Sequence, residues 1–294
     1  TDNVAIGEAA LDAVTTGSDN TAVGDNAGGG ITTGSQNVAV GSASGLALTT
    51  GDQNVIVGEQ AGEGLTTASA VTLVGCEAGG GATITGDHNV GVGRKALFDL
   101  TTGASNVAVG RSALENVTTA DNNTAVGKDA LKTNTTGHSN TGVGESALEA
   151  NTTANNNTGV GYAALAANTT GHSNVAVGSL ALDANTTANN NTAIGYESLT
   201  TNTTGTANTG VGRTSLNANS TGDNNTSVGM GSLESNTTAD SNTAVGKDAL
   251  QSNTTGTENV AVGATAGDAL TTGSENVVIG SDALSTSTTG GNNV

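Results

Sequence analysis

Three histidines, one cysteine and twenty-six carboxylates are the groups in this chain that could do acid–base, nucleophilic or metal chemistry. A catalytic imidazole needs a nucleophile beside it and a group that orients it. His88, His138 and His172 each follow a Gly within two residues, in short variable segments, and no Ser/His/Asp grouping recurs around them. They are expected to be exposed corner residues. Cys76 is the single cysteine, so no intrachain disulfide can form, and no histidine lies near it in sequence. Glycoside hydrolysis needs two facing carboxyl groups. Glu145, Asp183 and Glu234 stand at variable positions, so such a pair could arise only between coils or between chains. Gly51-Asp52 and Gly222-Asp223 resemble calcium-binding corners, but the nonapeptide G-G-x-G-x-D is absent. Asn134-Thr135-Thr136 matches a glycosylation sequon. Its regular recurrence favours a different use, as ladders of Asn and Thr between stacked strands. The expectation is no catalytic residue, no cofactor and no metal.

What positions these residues is a repeat. The pattern N-(T/V)-x-(V/I)-G starts at residues 3, 20, 37, 54, 71, 89, 106, 123, 140, 157, 174, 191, 208, 225, 242, 259 and 276, with Val71 in place of the Asn in one unit. Sixteen of the 17 units have 17 residues, and the one at Val71 has 18, with the extra residue near Thr83-Ile84-Thr85. A new unit opens at Asn293, so residues 1–294 read as a single repeat domain and as a segment of a longer fibre. We number positions from the Asn. Position 5 is Gly and position 4 is Val or Ile in all 17 units; position 8 is Ala or Ser; position 6 is unrestricted.

Seventeen residues are too few for a strand–helix–strand unit, and no 3.6-residue period runs through them. The pattern predicts an all-β fold, a β-solenoid of 17 coils, with short strands joined by tight corners. Alternation puts positions 2 and 4 on one face and position 3 on the other. Val126 and Val160, at position 4, are expected inside the coil or at a chain–chain interface. Lys128 and Tyr162, at position 6, are expected outside the corner made by Gly127 and Gly161. Most units carry Leu at position 9 and Asn at position 12; units with Gly at 9 carry the large apolar group at 12, as in Gly28 with Ile31 and Gly267 with Leu270. Both positions are expected to border one interior space.

Composition agrees with a narrow interior. There are one Phe, two Tyr, no Trp and one Met, so the apolar mass is Ala, Val and Leu. The net charge of −19 repels nucleic acid and anionic membranes. Arg94, Lys95, Arg111, Lys128, Lys132, Arg213 and Lys247 form no basic run. No apolar stretch approaches membrane-spanning length, and direct membrane insertion is not expected. Thr1-Asp2-Asn3 does not open a signal peptide, so any export signal and anchor are expected outside this sequence.

The motif N-(T/V)-A-(V/I)-G, followed by Ala-Leu and a later Thr-Gly as in residues 123–137, is similar to the head repeats of trimeric autotransporter adhesins. Those repeats carry a V-A-I-G-like core and a small residue three positions after its glycine. Similar units occur in bacteriophage tail fibres. The resemblance covers residues 3–294; the adhesin unit is shorter than 17 residues, and the additional ones here surround Asn-Thr-Thr. It implies a left-handed β-roll whose three chains pack side by side. The expected protein is therefore a homotrimeric, extracellular fibre segment on a cell surface or virion. It would be structural or adhesive, with a host-surface protein or glycan as its partner. The rival reading is an ice-binding solenoid. The known T-x-T arrangement is missing, because the adjacent Thr135 and Thr136 point to opposite faces of a strand, which leaves one outward Thr column.

Overall fold

The structure is a computed structural model that describes residues 2–293. It is a parallel β-solenoid of about sixteen turns. Seventeen three-residue strands, β1 (Val4–Ile6) to β17 (Val277–Ile279), succeed one another, with no helix among the described residues. Two compact units divide between Thr153 and Ala154. In the first, β2 (Thr21–Val23) pairs in parallel with β3 (Val38–Val40), Ala22 opposite Ala39. In the second, β11 (Val175–Val177) pairs likewise with β12 (Thr192–Ile194), Ala176 opposite Ala193. The same position of successive repeats therefore stacks in a column.

Three residues of strand per coil would leave most backbone groups unpaired, and unpaired buried amides are costly. The coil avoids this by bonding to its neighbour around its whole circumference. Leu131 N–H donates to Ala147 O at 3.0 Å, Thr133 N–H to Glu149 O at 3.1 Å, Thr135 N–H to Thr152 O at 2.9 Å and Ser139 N–H to Asp121 O at 3.2 Å. Corners with positive φ aim these groups along the stack. Asp129 (φ 58°), Leu131 (φ 49°) and Ser139 (φ 57°) mark positions 7, 9 and 17 of one coil. Non-glycine residues enter this region rarely, at a cost of about 1–3 kcal/mol each. Position 5 is stricter. Gly24 has φ 137°, and a Cβ there would lie 2.6 Å from the Gly41 carbonyl oxygen. No side chain fits.

The strand faces are the reverse of the sequence expectation. The middle residue of each strand is the buried one: Ala22, Ala125 and Ala176 are fully enclosed. Val126 points outward and keeps 37% of its surface exposed; Val160 is half-buried on the same outer face. The reason is volume. Leu131 and its equivalents at position 9 fill the inside, and space remains at position 3 for little more than a methyl group. Position 3 is accordingly Ala, Gly or Ser in fourteen strands. The three exceptions, Ile56, Leu73 and Val278, all lie by a glycine at position 9. A Cβ on Gly45 would meet Ile56 Cδ1 at 2.8 Å, one on Gly79 would meet Leu73 Cδ1 at 2.8 Å, and Val278 lies beside Gly267. The exchange between positions 9 and 12 holds as expected: a Cβ on Gly28 would be 3.0 Å from Ile31 Cδ1. In the 18-residue unit, the added residue lets Ile84 turn inward, fully buried, and bridge to Leu65.

Asparagines close each coil. Asn37 donates through its backbone N–H and its Nδ2 to Asn20 Oδ1 in the coil before, at 3.0 and 3.1 Å, and through Nδ2 to Gly51 O of its own coil at 2.9 Å. A second ladder runs at position 12, where Asn185 Nδ2 donates to Asn168 Oδ1 at 2.8 Å. It stops at Asn253, whose Oδ1 is buried without a partner because the next coil holds Leu270.

These faces fix an expected outcome. Ala176→Asp places an unpaired charge in a closed interior and should destabilise the fold by more than about 4 kcal/mol. Val177→Thr, one residue away on the outer face, should change the stability of the isolated chain by less than about 0.5 kcal/mol. Denaturant melts of the two variants check it; equal damage would mean the faces are misassigned.

Candidate functional site

The residues with reactive side chains lie apart, each on its own coil. His88, His138 and His172 are exposed at the corner. His138 Nδ1 accepts the backbone N–H of Asp121 at 3.2 Å, and the His172 N–H donates to Asn189 Oδ1 at 2.7 Å. Cys76 is an exposed free thiol. The carboxylates serve neighbouring coils. Asp52 accepts the Ser35 N–H at 2.7 Å, and Asp223 accepts the Thr206 N–H at 2.6 Å and its hydroxyl at 3.0 Å. Glu145 pairs with Lys128 at 2.7 Å, Glu234 accepts from Gln251 Nε2 at 2.9 Å, and Asp183 accepts from the Thr200 hydroxyl. Among the described residues no three His, Cys, Asp or Glu side chains are close enough to hold a metal ion. A recess at the last described coil is lined by Val277, Val278, Ile279, Ala283, Leu284 and Asn293, none of them ionisable.

Asn134 of the sequon motif is fully buried. Its Nδ2 donates to Gly137 O at 2.9 Å, and its Oδ1 accepts from Asn151 Nδ2 at 2.9 Å. With both ends of the amide engaged, it is a rung of the ladder and is closed to a modifying enzyme in the folded chain.

Three outward columns remain as candidate contact surfaces. The first is the strand face. Every strand sends Val or Thr at position 2 and Val or Ile at position 4 outward, and none of the seventeen contains a charged residue. The side chains there are half-buried to exposed; Val109, Val126, Val177, Val228, Val245 and Val262 each keep 36–39% of their surface. Sequence reasoning grasped that position 4 forms an apolar ladder but placed it on the wrong side of the backbone. The signal that could have found it was the smallness of position 3. The second column is position 14. It is Thr in every unit, from Thr16 to Thr289, and exposed in every one. Thr135, just before it, is tied down by its hydroxyl donating to Thr152 O at 3.1 Å. The third column is position 6, which carries the varied, charged residues outside the glycine corner. Lys128 and Tyr162 are both exposed there, where they were expected.

No protein-family model matches the chain, and no curated protein matches it.

Burial perturbs two carboxyl groups. It raises Asp183 above the ordinary Asp range, against the lowering effect of the Thr200 hydroxyl and nearby amides. Asp99 is raised first by burial and then by the neighbouring Glu115. A carboxyl group whose folded pKa is raised favours folding in its protonated form. Its contribution is complete below the unfolded value near 3.8 and is lost as pH rises through the folded value. Asp183→Asn keeps an acceptor for Thr200 and removes the half-buried charge. The variant should melt higher than the parent at pH 7 and lose that advantage near pH 3; a destabilised variant at pH 7 would reverse the assignment.

Proposed function

We propose that this chain is a structural or adhesive segment of an extracellular fibre, of the kind found in bacterial surface adhesin heads and phage tail fibres, with no catalytic reaction of its own. One observation carries the reading: the uncharged Val/Ile/Thr strand face, repeated from β1 to β17. Aliphatic side chains lined up on an outer face are shielded from water when a matching surface covers them. The best match is another copy of the same chain, because it offers the same column at the same rise. Charge points the same way. Chains of net charge −19 repel one another, and the strand face is where they can meet without opposing carboxylates. Three chains side by side, each a left-handed β-roll, cover all three faces around one axis. The similarity of the repeat to adhesin heads, read from the Asn, Val, Gly and Ala positions, supports this arrangement. In it the remaining columns stay free to contact a host-surface protein or glycan. Light scattering of the isolated chain should give about three times the chain mass of 28.1 kDa. The mass should fall to that of one chain when Val160, Val177 and Ile194 are changed to Asp together. A single-chain mass for the unaltered protein sinks the trimer.

A second reading, ice binding, is favoured by the position-14 column. The fold makes no visible demand for Thr there, yet Thr is kept in every unit and exposed. A row of hydroxyl and methyl groups at a constant rise suits a ligand that is itself periodic. If that is its use, the protein will facet ice crystals and show thermal hysteresis at micromolar concentration, and Thr204→Lys will reduce both. A fibre segment will show neither.

A further inference from the structure

The position-6 column of the first unit is sorted by charge along the stack. Glu8, Asp25 and Glu59 occupy it in the first, second and fourth coils; Arg94, Arg111 and Lys128 occupy it in the sixth, seventh and eighth. Ser42 and Cys76 fill the two remaining places. All eight side chains are exposed. No Lys or Arg precedes Arg94, and five of the seven basic residues fall between Arg94 and Lys132. The column is kept straight by the backbone. Asn26 N–H donates to Glu8 O at 2.8 Å, Ser112 N–H to Arg94 O at 2.9 Å and Asp129 N–H to Arg111 O at 3.0 Å.

Stacking at about 4.8 Å per coil brings three cationic heads to within about 10 Å of one another. Their own counter-ions satisfy them only in part. Arg94 lies 3.6 Å from Glu77 and Arg111 3.6 Å from Asp129, with 58% and 55% of their side-chain surface open. A guanidinium has five donors, so each keeps most of them free. Lys128 is held by Glu145 at 2.7 Å and is still 45% open. On the acidic side, no Lys or Arg nitrogen comes within 4 Å of Glu8, Asp25 or Glu59 among the described residues.

We propose that this edge is a self-complementary docking strip for a second copy of the chain, lying antiparallel about a two-fold axis between the coils of Glu59 and Cys76. In that register Glu8 faces Lys128 of the second copy and Asp25 faces Arg111 of the second copy. Two-fold symmetry makes each pair twice. Ser42 then faces Arg94 and Glu59 faces Cys76, so no like charges oppose within the strip. A parallel copy in register would set acid on acid and base on base. A free polyanion is the poorer occupant, because it would be repelled by the acidic half of the strip and by the net charge of −19. Exposed ion pairs are individually weak and are screened by salt. The contact is therefore a salt-sensitive lateral step, strengthened when copies already assembled present several strips at once. It uses a different surface from the strand face and does not depend on it.

Charge exchange in the whole chain tests it by sedimentation at about 0.02 M and about 0.5 M salt. The unaltered chain should show an association step at low salt that disappears at high salt. Arg111→Glu with Lys128→Glu should weaken that step at least tenfold. So should Glu8→Lys with Asp25→Lys, although this variant is less acidic than the parent and general repulsion would make it associate more. An equimolar mixture of the two variants restores all four pairs and should recover the step. All substituted sites are exposed, and circular dichroism verifies folding. The proposal is overturned if the unaltered chain shows no salt-sensitive step or if the mixture fails to recover it. It is also overturned if the Lys variant associates more strongly than the parent, or if a sulfated polysaccharide occupies Arg94, Arg111 and Lys128 while copies ignore one another. Association through the apolar strand face persists at high salt, so failure of either contact is read separately.

Discussion

Within each unit, coil bonds to coil not only along the three-residue strand but at the corners, as where Leu131 donates to Ala147 and Ser139 to Asp121. Those bonds hold equal positions over one another at about 4.8 Å. Each residue type then meets itself in the neighbouring coil, and the side chains that tolerate such company are few. Asn does, because its amide donates to one neighbour and accepts from the other. Val and Thr do, because they pack well on a pleated surface. Glycine at position 5 does because the approach there is closer still: with the next carbonyl oxygen 2.6 Å from where the Gly24 Cβ would be, any substituent would separate two coils and break the bonds on both sides. The strictness of the repeat is the sequence form of this spacing.

The second constraint is the volume left inside. A 17-residue loop bonded around its rim encloses room for about one large aliphatic group per coil, and the chain supplies it from position 9, position 12 or position 3. Gly79 shows the trade at its fullest. A Cβ there would touch both Leu73 Cδ1 and Ile84 Cδ1, so two neighbours have grown into the space that a leucine would otherwise take. Glycine at position 9 also relieves the strain of a left-handed backbone, since Leu131 holds φ 49° where Gly79 holds φ 57°. The chain thus alternates between a strained leucine with a hydrogen-bonded Asn and a relaxed glycine with an aliphatic partner. The two solutions do not join without loss. Where the position-12 ladder meets Leu270, Asn253 Oδ1 is left buried and unpaired, an arrangement that costs about 1–3 kcal/mol in other proteins.

Much of this was legible in the residues. The period, the parallel coil, the corner at position 5, the exposed position 6 and the exchange of Gly28 for Ile31 follow from composition and spacing alone. The orientation of the strand did not. Alternation separates positions 2 and 4 from position 3, but it does not say which set faces in. The usual assumption, that the larger aliphatics are buried, fails when the interior is already occupied by Leu131. The left-handed corners at positions 7 and 17 were hidden too, because Asp, Ser, Ala, Gln and Glu all take part and only some of them favour positive φ. The charge sorting of position 6 was hidden for a different reason. Arg94, Arg111 and Lys128 are 17 residues apart in sequence and become neighbours only when the coils are stacked.

Repeats within one chain allow each position to be compared with itself under the same backbone. Position 6 is exposed and holds Glu, Asp, Ser, Cys, Arg, Lys, Tyr, Met and Ala, as expected of a site that the coil does not restrict. Positions 2 and 4 are also outward, yet across seventeen strands they hold only Val, Ile and Thr. Preference for β-branched residues explains part of the difference. It does not explain the complete absence of Lys, Arg, Glu and Asp from position 4, because charged residues on exposed strands are the ordinary defence against unwanted edge and face contacts. Nor does it explain why Thr, frequent at position 2, never occurs at position 4, where its hydroxyl would be equally exposed on the isolated chain. The restriction is stronger than the coil requires. A surface that excludes both charge and hydroxyl from one column, and accepts hydroxyl in the next, is patterned for contact with something dry along position 4 and less dry along position 2. That gradient is what the centre and rim of an interface between chains impose.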